Sequence, residues 1–241
     1  MWQCFEYDEL GSTNDEAVRL SASAAGRCLA VTAKRQTAGR GRRGRNWQSL
    51  EGNLFLSLAL PFDLKNCGAL VLISGLALLQ AVKELGPTAD IVLKWPNDVL
   101  LNGAKISGIL LEKGVGDYMI VGIGVNLKAA PESGTLYRVT SLQQAGIVTD
   151  RRVFMEKYLN CFDGLYALWA QKGTAAVAAL WQSYAKGIGD RICVRTAKEE
   201  KNGIFTGLDD QGMLILQTPA GREVIGAGDV FFEDERKREN D

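Results

Sequence analysis

One stretch of the chain concentrates positive charge on a flexible backbone. Residues 36–47 read Gln-Thr-Ala-Gly-Arg-Gly-Arg-Arg-Gly-Arg-Asn-Trp, in which Arg40, Arg42, Arg43 and Arg45 alternate with three glycines. Glycine loses the most entropy on ordering, and like charges repel, so the segment alone would not hold one conformation. Guanidinium groups match the geometry of phosphate and carboxylate, and glycines let backbone N–H groups approach the same anion. The pattern predicts a loop that closes over an anionic small molecule. A solvated basic loop and an Arg/Gly segment that binds RNA are the alternatives.

Other residues capable of binding or catalysis adjoin predicted elements. Ser12-Thr13-Asn14 precedes the apolar face of a helix, so it is a helix cap or a polar-ligand site at a helix N-terminus. Lys94 and Trp95 end a predicted strand that Pro96 breaks, Asn97-Asp98 follows, and Lys105 comes after a predicted hairpin turn. Each motif alone is explained by local structure, and only their combination points to a site.

Three glycines lie inside predicted strands. Gly108, Gly122 and Gly124 weaken those strands, and the usual meaning of such glycines is a bulge or a close approach of a ligand to the backbone. No third glycine and no helix follow Gly122-x-Gly124, so it is not a dinucleotide-binding fingerprint.

Composition excludes several classes of function. The 28 basic and 28 acidic residues give no net charge, which argues against a protein that covers nucleic acid with a basic surface. The chain contains no histidine, so Ser-His-Asp and Cys-His catalysis and histidine metal ligands are excluded. The five cysteines are scattered and lack a C-x-x-C pair, which indicates reduced core thiols. No signal peptide or membrane span is evident, so we expect a cytoplasmic protein.

The positions of the apolar residues predict an α+β domain followed by short strands. Asn102-Gly103 between two apolar runs is typical of a β-hairpin. From residue 187 the pattern changes to short strands with turns, as in a small β-barrel. The predicted helices begin at Ser12 or Thr13 and cover 68–85, 150–170 and 173–185; the predicted strands cover 28–33, 53–60, 89–95, 105–112 and 118–127, and then 191–196, 203–208, 213–218, 223–225 and 230–232.

The ordered series of motifs resembles the biotin–protein ligases (biotin–[acetyl-CoA-carboxylase] ligases). The series comprises Ser12-Thr13-Asn14, the arginine loop of residues 36–47, Lys94 to Asp98, Lys105-Ile-Ser-Gly-Ile-Leu-Leu-Glu112 and Gly122-Ile-Gly-Val-Asn126. The resemblance implies a mixed β-sheet with flanking helices, as in class II synthetases, over residues 1–186. It also implies an SH3-like β-barrel over residues 187–241.

By that resemblance the enzyme makes biotinyl-5′-AMP from biotin and ATP, with Mg²⁺, and passes the biotinyl group to a lysine of a carrier domain. The partner is the biotin carboxyl carrier protein of a biotin-dependent carboxylase. The resemblance implies that Lys105, Arg42 and Asp98 are catalytic, with Asp98 either binding Mg²⁺ or accepting a proton from the acceptor lysine. It also implies which residues bind each substrate. The residues expected to bind biotin are Ser12, Thr13, Asn14, Gln36, Arg40, Gly41, Arg42, Lys105, Gly108, Gly122 and Gly124. Those expected to bind ATP are Arg40, Arg42, Arg45, Trp47, Asn97, Lys105 and Asn126.

Three further expectations concern partners. Many biotin–protein ligases begin with a DNA-binding winged helix, but here Ser12 lies close to the amino terminus, so we expect no DNA binding and no repressor function. Some members pair through an exposed sheet edge, so a homodimer is one of the alternatives. A lipoate–protein ligase of related fold and a non-enzymatic RNA-binding module are the rival functions.

Overall fold

A seven-stranded mixed sheet forms the larger part of the molecule. The computed structural model describes residues 2–86, 90–133 and 137–232. The strand order is β1-β2-β3-β7-β6-β5-β4, in which only β1 and β2 are parallel neighbours. The strands are β1 Gln3–Leu10, β2 Leu29–Gln36, β3 Leu54–Pro61, β4 Ile91–Lys94, β5 Asp98–Leu101, β6 Ala104–Lys113 and β7 Tyr118–Val125.

Helices cover the two faces of this sheet. Helix α1 (Thr13–Ser21) packs through Ala17 on a small cluster that includes Val31 and Ile120. Helices α2 (Cys67–Lys83) and α3 (Arg151–Gln182) share the main core with the other face. The segment Leu64–Lys83 is long and apolar enough to cross a membrane by length and composition alone. Its helical part is packed in the core, which accounts for that apolar character.

The C-terminal region forms a second, antiparallel sheet with the order β11-β10-β9-β8-β12. This arrangement agrees with the small barrel-like domain expected from residue 187 onward, within the described part of the chain. Phe205, Leu214 and Leu216 are buried inside it. Its strands are β8 Arg191–Arg195, β9 Glu200–Leu208, β10 Leu214–Thr218, β11 Gly221–Ile225 and β12 Asp229–Phe232.

The predicted hairpin positions the segment that carries Lys105. Asn102 and Gly103 both adopt positive φ angles, +51° and +73°, and join β5 to β6 as the Asn-Gly pair predicts. The register of β5 against β6 shifts between Val99 and Leu100, so a bulge lies just after Lys105. The backbone of Lys105 is also hydrogen-bonded to Arg138 and Thr140 on the following connection. These contacts fix where the lysine side chain leaves the sheet.

Several sequence-based expectations need correction. The first strand, Gln3–Leu10, was not predicted, although it forms one edge of the main sheet. The two helices predicted over residues 150–170 and 173–185 are instead confirmed, because α3 consists of two helices that meet at a kink at Gly173, whose backbone angles are non-helical. Among the five cysteines only Cys161 and Cys193 are buried, and Cys4 is exposed, so the prediction of core thiols is wrong for Cys4.

Gly173 and Gly164 should respond in opposite ways to alanine. Gly173 has φ +76° and ψ −179°, a conformation that costs an L-residue about 1–3 kcal/mol. Gly164 lies in regular helix with open space around its Cα, so alanine there should stabilise by about 0.5–1 kcal/mol. Urea denaturation of Gly173→Ala and Gly164→Ala measures both. A Gly173→Ala protein as stable as wild type would contradict the assigned backbone conformation.

Candidate active site

The N-terminus of α1 meets the end of β2 in a buried polar cluster. Ser12 caps the helix, and its Oγ accepts a hydrogen bond from the backbone N–H of Asn14. Gln36 Oε1 accepts from both the backbone N–H (2.8 Å) and the hydroxyl (3.0 Å) of Thr13. Ser12, Thr13 and Asn14 are all at most 5% exposed. The structure therefore brings together Ser12, Thr13, Asn14 and Gln36, four of the residues predicted to bind biotin, and we call this group the head pocket.

Asn14 lies against the bare face of Gly122. A Cβ added at Gly122 would come within 2.9 Å of Asn14 Cγ, so only glycine leaves room for this side chain. The Asn14 amide donates to Glu112 Oε2 at 2.6 Å and accepts from Ser57 Oγ at 2.5 Å. Gly122 was predicted to make room along a ligand slot, and in the structure the space beside it is filled by Asn14.

Lys105 and Asp98 form a close ion pair beside the head pocket. The Lys105 Nζ lies 2.7 Å from Asp98 Oδ1, and both side chains are less than 20% exposed. A Cβ at Gly108 would meet Lys105 Nζ at 3.1 Å, so the ammonium stands over this glycine. The structure thus joins two of the three predicted catalytic residues directly.

The indole of Trp47 lies on a bare patch of the sheet. Gly108 and Gly124 are direct partners on β6 and β7, and a Cβ on either would contact the indole. The Lys105 ammonium is 5.7 Å from the centroid of the ring. The indole Nε1 is buried and has no hydrogen-bond partner within the described part of the chain.

The arginine loop of residues 36–47 is held at its first arginine by α1 and β6. Arg40 makes two hydrogen bonds to the Asp15 carboxylate, at 2.7 and 2.8 Å, and lies 3.3 Å from Glu112. The hydrogen bonds with Asp15 raise the pKa of Arg40 and lower that of Asp15. This contact ties the loop to the head pocket.

The rest of the loop is held by one carboxylate of the C-terminal sheet. Asp229, whose side chain is 10% exposed, lies 3.1–3.4 Å from guanidinium nitrogens of Arg42, Arg43 and Arg45. Burial lowers the pKa of Arg42, and the nearby Asp229 charge opposes that shift. Arginine keeps its charge in proteins, so the cluster remains three cations around one anion. The arrangement can accept further negative charge.

A cavity of about 450 Å³ connects these groups. The Lys105–Asp98 pair, Trp47 and the arginine loop all border it, and so does the C-terminal sheet through Asp229. The head pocket lies outside this lining: Asn14 lies against Gly122, whereas Trp47, which borders the cavity, lies against Gly124 two residues further along the same strand. The predicted residues that line the cavity are Gly41, Arg42, Arg45, Trp47, Asn97, Asp98, Lys105, Gly108 and Asn126.

Two predicted ATP ligands already have structural bonds. Asn97 Oδ1 accepts from Arg42 at 2.9 Å, and its Nδ2 donates to the carbonyl of Ile109. Asn126 is buried, and its Nδ2 donates to the carbonyl of Thr140. Gly41 donates its N–H to the carbonyl of Arg45, which closes the loop on itself. The ATP-binding roles of Asn97 and Asn126 and the biotin-binding role of Gly41 stay predictions.

Sequence reasoning missed four residues that organise the site: Ser57, Asp15, Glu112 and Asp229. Ser57 is the single polar residue within the apolar strand Leu54–Leu60, which is a usable clue to a buried hydrogen bond. Glu112 is the last residue of the Lys105–Glu112 motif, but nothing in that motif indicated a role for it. Asp229 lies 184 residues beyond Arg45, and nothing in the local sequence links the two.

Replacement of Asp229 should loosen the arginine loop. Asp229→Asn removes the charge that faces three guanidinium groups, so their mutual repulsion is no longer offset. We expect trypsin to cleave the loop at least about tenfold faster, since cleavage follows the population of the open form. Glu223→Gln, which changes a carboxylate bonded to Lys201 within the C-terminal sheet, is the control and should leave cleavage unchanged. Equal cleavage of both variants would contradict the assigned contact.

The chain is similar to known proteins over most of its length. The model of the "Biotin/lipoate A/B protein ligase family" matches residues 11–126, and that of the "Biotin protein ligase C terminal domain" matches residues 187–233. The chain is 41% identical to a biotin–[acetyl-CoA-carboxylase] ligase of Paracoccus denitrificans, over 92% of this chain and 97% of that protein. It is 38% identical to a bifunctional ligase/repressor of Bacillus subtilis, over 93% of this chain and 72% of that protein.

Solved structures give the same result. The biotin protein ligase of Aquifex aeolicus in complex with biotin and ATP superposes with a TM-score of 0.82 at 30% identity, covering 95% of this chain and 97% of that one. The Leishmania major enzyme with biotinyl-5-AMP superposes with a TM-score of 0.68 at 28% identity, covering 93% and 99%. Sequence and fold thus agree over nearly the whole chain, and the protein belongs to the biotin protein ligase family.

Proposed function

We propose that the protein activates biotin with ATP to biotinyl-5′-AMP and transfers the biotinyl group to a lysine of a biotin carboxyl carrier domain. The observation that carries this function is the continuity of three regions on one sheet face: the head pocket, the Lys105–Asp98 pair and the arginine loop. Gly122 and Gly124 are separated by about 7 Å along β7, at about 3.4 Å per residue. Asn14 of the head pocket and Trp47 of the cavity lie against these two glycines, so the two regions are neighbours on this face of the sheet.

The first step joins two anions, so positive charge is its main requirement. A carboxylate oxygen of biotin attacks the α-phosphorus of ATP, the new P–O bond forms, and pyrophosphate leaves with the electrons of the broken bond. A cation about 4 Å from such an anion offsets about 4 kcal/mol at an effective dielectric constant near 20. Lys105 and Arg42 both border the cavity, which supports their assignment as the cations that offset this charge. Positioning and electrostatics can therefore carry the reaction without histidine.

Magnesium fits the site as a phosphate-bound ion. Among residues 2–86, 90–133 and 137–232, no group of three Cys, Asp or Glu side chains could hold a metal by itself. Mg²⁺ at nucleotide sites is usually held by one or two carboxylates together with substrate phosphates. Asp98 is the carboxylate that would hold it here, and the ion would neutralise charge on the phosphates.

The second step needs a neutral amine. The acceptor lysine attacks the carbonyl carbon of the adenylate, AMP leaves, and the ammonium proton passes to a base. Asp98 borders the same cavity and is the nearest carboxylate to Lys105, which makes it the candidate base. A cytoplasmic location and a pairing of two copies through a sheet edge remain additional predictions.

Pyrophosphate release tests the function. The protein is mixed with ATP and Mg²⁺ together with biotin, with lipoate, or with neither acid. We expect release with biotin alone, followed by a biotinyl mass increment on an added carrier domain. Pyrophosphate release with lipoate alone would indicate that the protein activates lipoate instead of biotin. No pyrophosphate release with either acid would overturn the proposal.

Lys105→Ala should abolish adenylate formation without unfolding the protein. The side chain places a partly buried charge over Gly108, and it is assigned to the acyl phosphate. Loss of one such group costs about 100-fold or more in rate. Lys113→Ala, an exposed position on the same strand, is the control and should retain activity. A folded Lys105→Ala protein with wild-type release of pyrophosphate would refute the role.

Arg42→Gly should release the adenylate faster. Arg42 is the most buried arginine of the loop, with its side chain 20% exposed, so it would be desolvated over the phosphate. Removal of one partner of a buried charge pair acts mainly on the dissociation rate, and we expect at least about a tenfold increase. The rate is followed with preformed biotinyl-5′-AMP, and Arg222→Gly, an exposed arginine of β11, is the control. Equal dissociation rates of the adenylate from all three proteins would show that Arg42 does not retain it.

A further inference from the structure

We infer that Arg43 is a positioning residue that keeps the arginine loop closed over the adenylate without touching the ligand. Arg40, Arg42 and Arg45 have predicted ligand roles, whereas Arg43 has none. Within the described part of the chain, the lining of the cavity includes Arg42 and Arg45 but not Arg43. The inference rests on the proposed function, because it concerns retention of the intermediate of that reaction.

Part of the arginine loop forms a short hairpin. Arg40 pairs with Asn46 as an antiparallel bridge, which closes the base of the hairpin. At its tip the carbonyl of Arg42 accepts a hydrogen bond from the backbone N–H of Arg45 at 3.2 Å. The two arginines that border the cavity therefore lie at the two ends of one turn. A change in that turn would move both guanidinium groups.

Arg43 occupies a turn position that suits asparagine or glycine. Its φ and ψ angles are +55° and +39°, and Gly44 follows with φ +72°. Together with the hydrogen bond between Arg45 and Arg42, these angles are those of a type I′ turn, whose two central residues both have positive φ. An arginine adopts this left-handed conformation only at a cost in free energy, because of its Cβ. The closed turn therefore needs an interaction that holds Arg43 in place.

Asp229 supplies that interaction. Nη1 of Arg43 lies 3.2 Å from Asp229 Oδ2, and the Asp229 side chain is 10% exposed. Asp229 begins β12 of the C-terminal sheet, so the ion pair joins the tip of the loop to a separate element. The strained turn is thus stabilised from outside the loop.

This ion pair gains importance when the adenylate is bound. The phosphate competes with Asp229 for Arg42 and Arg45, because both arginines border the cavity. Asp229 would then be a buried carboxylate beside another anion, and an unpaired buried charge is strongly unfavourable. Arg43 can stay with Asp229 while the other two arginines bind the phosphate. It therefore both tethers the loop and neutralises the carboxylate that faces the ligand.

The variant Arg43→Ala tests the inference through retention of the adenylate. Alanine removes the tether and leaves a residue with a Cβ in the left-handed turn. We expect preformed biotinyl-5′-AMP to dissociate at least about tenfold faster than from the wild-type protein. The KM for ATP should rise by a similar factor, because the closed loop is less populated. The kcat of pyrophosphate release should change less than about twofold, since saturating substrates close the loop.

Two further substitutions separate the charge of Arg43 from its backbone conformation. Arg43→Lys keeps a cation near Asp229 and should retain the adenylate within about threefold of wild type. Arg43→Asn loses the charge but favours the left-handed turn, so its dissociation rate should lie between those of the wild-type and alanine proteins. The control is Arg152→Ala, which removes an exposed arginine paired with Glu156 on α3 and should have no effect.

A double variant tests whether Asp229 is the partner through which Arg43 acts. In an Asp229→Asn background, Arg43→Ala should speed adenylate loss by less than about twofold, because the tether is already lost. The full effect of Arg43→Ala in that background would overturn the inference.

Four other results would also overturn it: wild-type retention by Arg43→Ala, no recovery with lysine, equal rates for the alanine and asparagine variants, or a fall in kcat as large as the rise in dissociation rate. The last of these would place Arg43 on the ligand itself. A wild-type protein that forms no adenylate would instead refute the proposed function, so the two failures are distinguishable.

Discussion

The site depends on the balance of charge around the arginine loop. Four guanidinium groups lie within six residues, and carboxylates from three separate elements face them: Asp15 of α1, Glu112 of β6 and Asp229 of β12. Repulsion among the arginines would otherwise open the loop. The loop can therefore take its ordered path only when the main sheet and the C-terminal sheet are both in place. This dependence explains why the small C-terminal sheet borders the cavity.

The same charges fit the chemistry of a reaction between two anions. Three arginines share one carboxylate, so the cluster has positive charge in excess even when Asp229 is counted. Phosphate groups can add to the cluster without a change in fold. The paired glycines Gly108 and Gly124 keep the sheet bare beneath Trp47, and Lys105 stands beside them. The Lys105 charge thus lies next to a flat patch of sheet that has no side chains, an arrangement expected where a nucleotide binds next to a carboxylate.

Local sequence patterns predicted most of the fold, whereas long-range contacts within the site could not be predicted. The Asn102-Gly103 hairpin and the Ser12 cap are determined by neighbouring residues, and both were correct. Strand β1 was missed because polar residues such as Glu6 and Asp8 interrupt its apolar pattern, as befits an edge strand. Asp229 and Ser57 meet their partners only through tertiary packing.

Amide hydrogen exchange across residues 36–47 tests the account most directly. Exchange is followed in the protein alone, with biotin, with ATP, and with both, and the hairpin at residues 209–213 serves as an internal reference. If anionic ligands complete the charge balance, exchange in the loop slows most when biotin and ATP are both present, while the reference hairpin is unchanged. Loop exchange at the same rate in all four states would contradict the account.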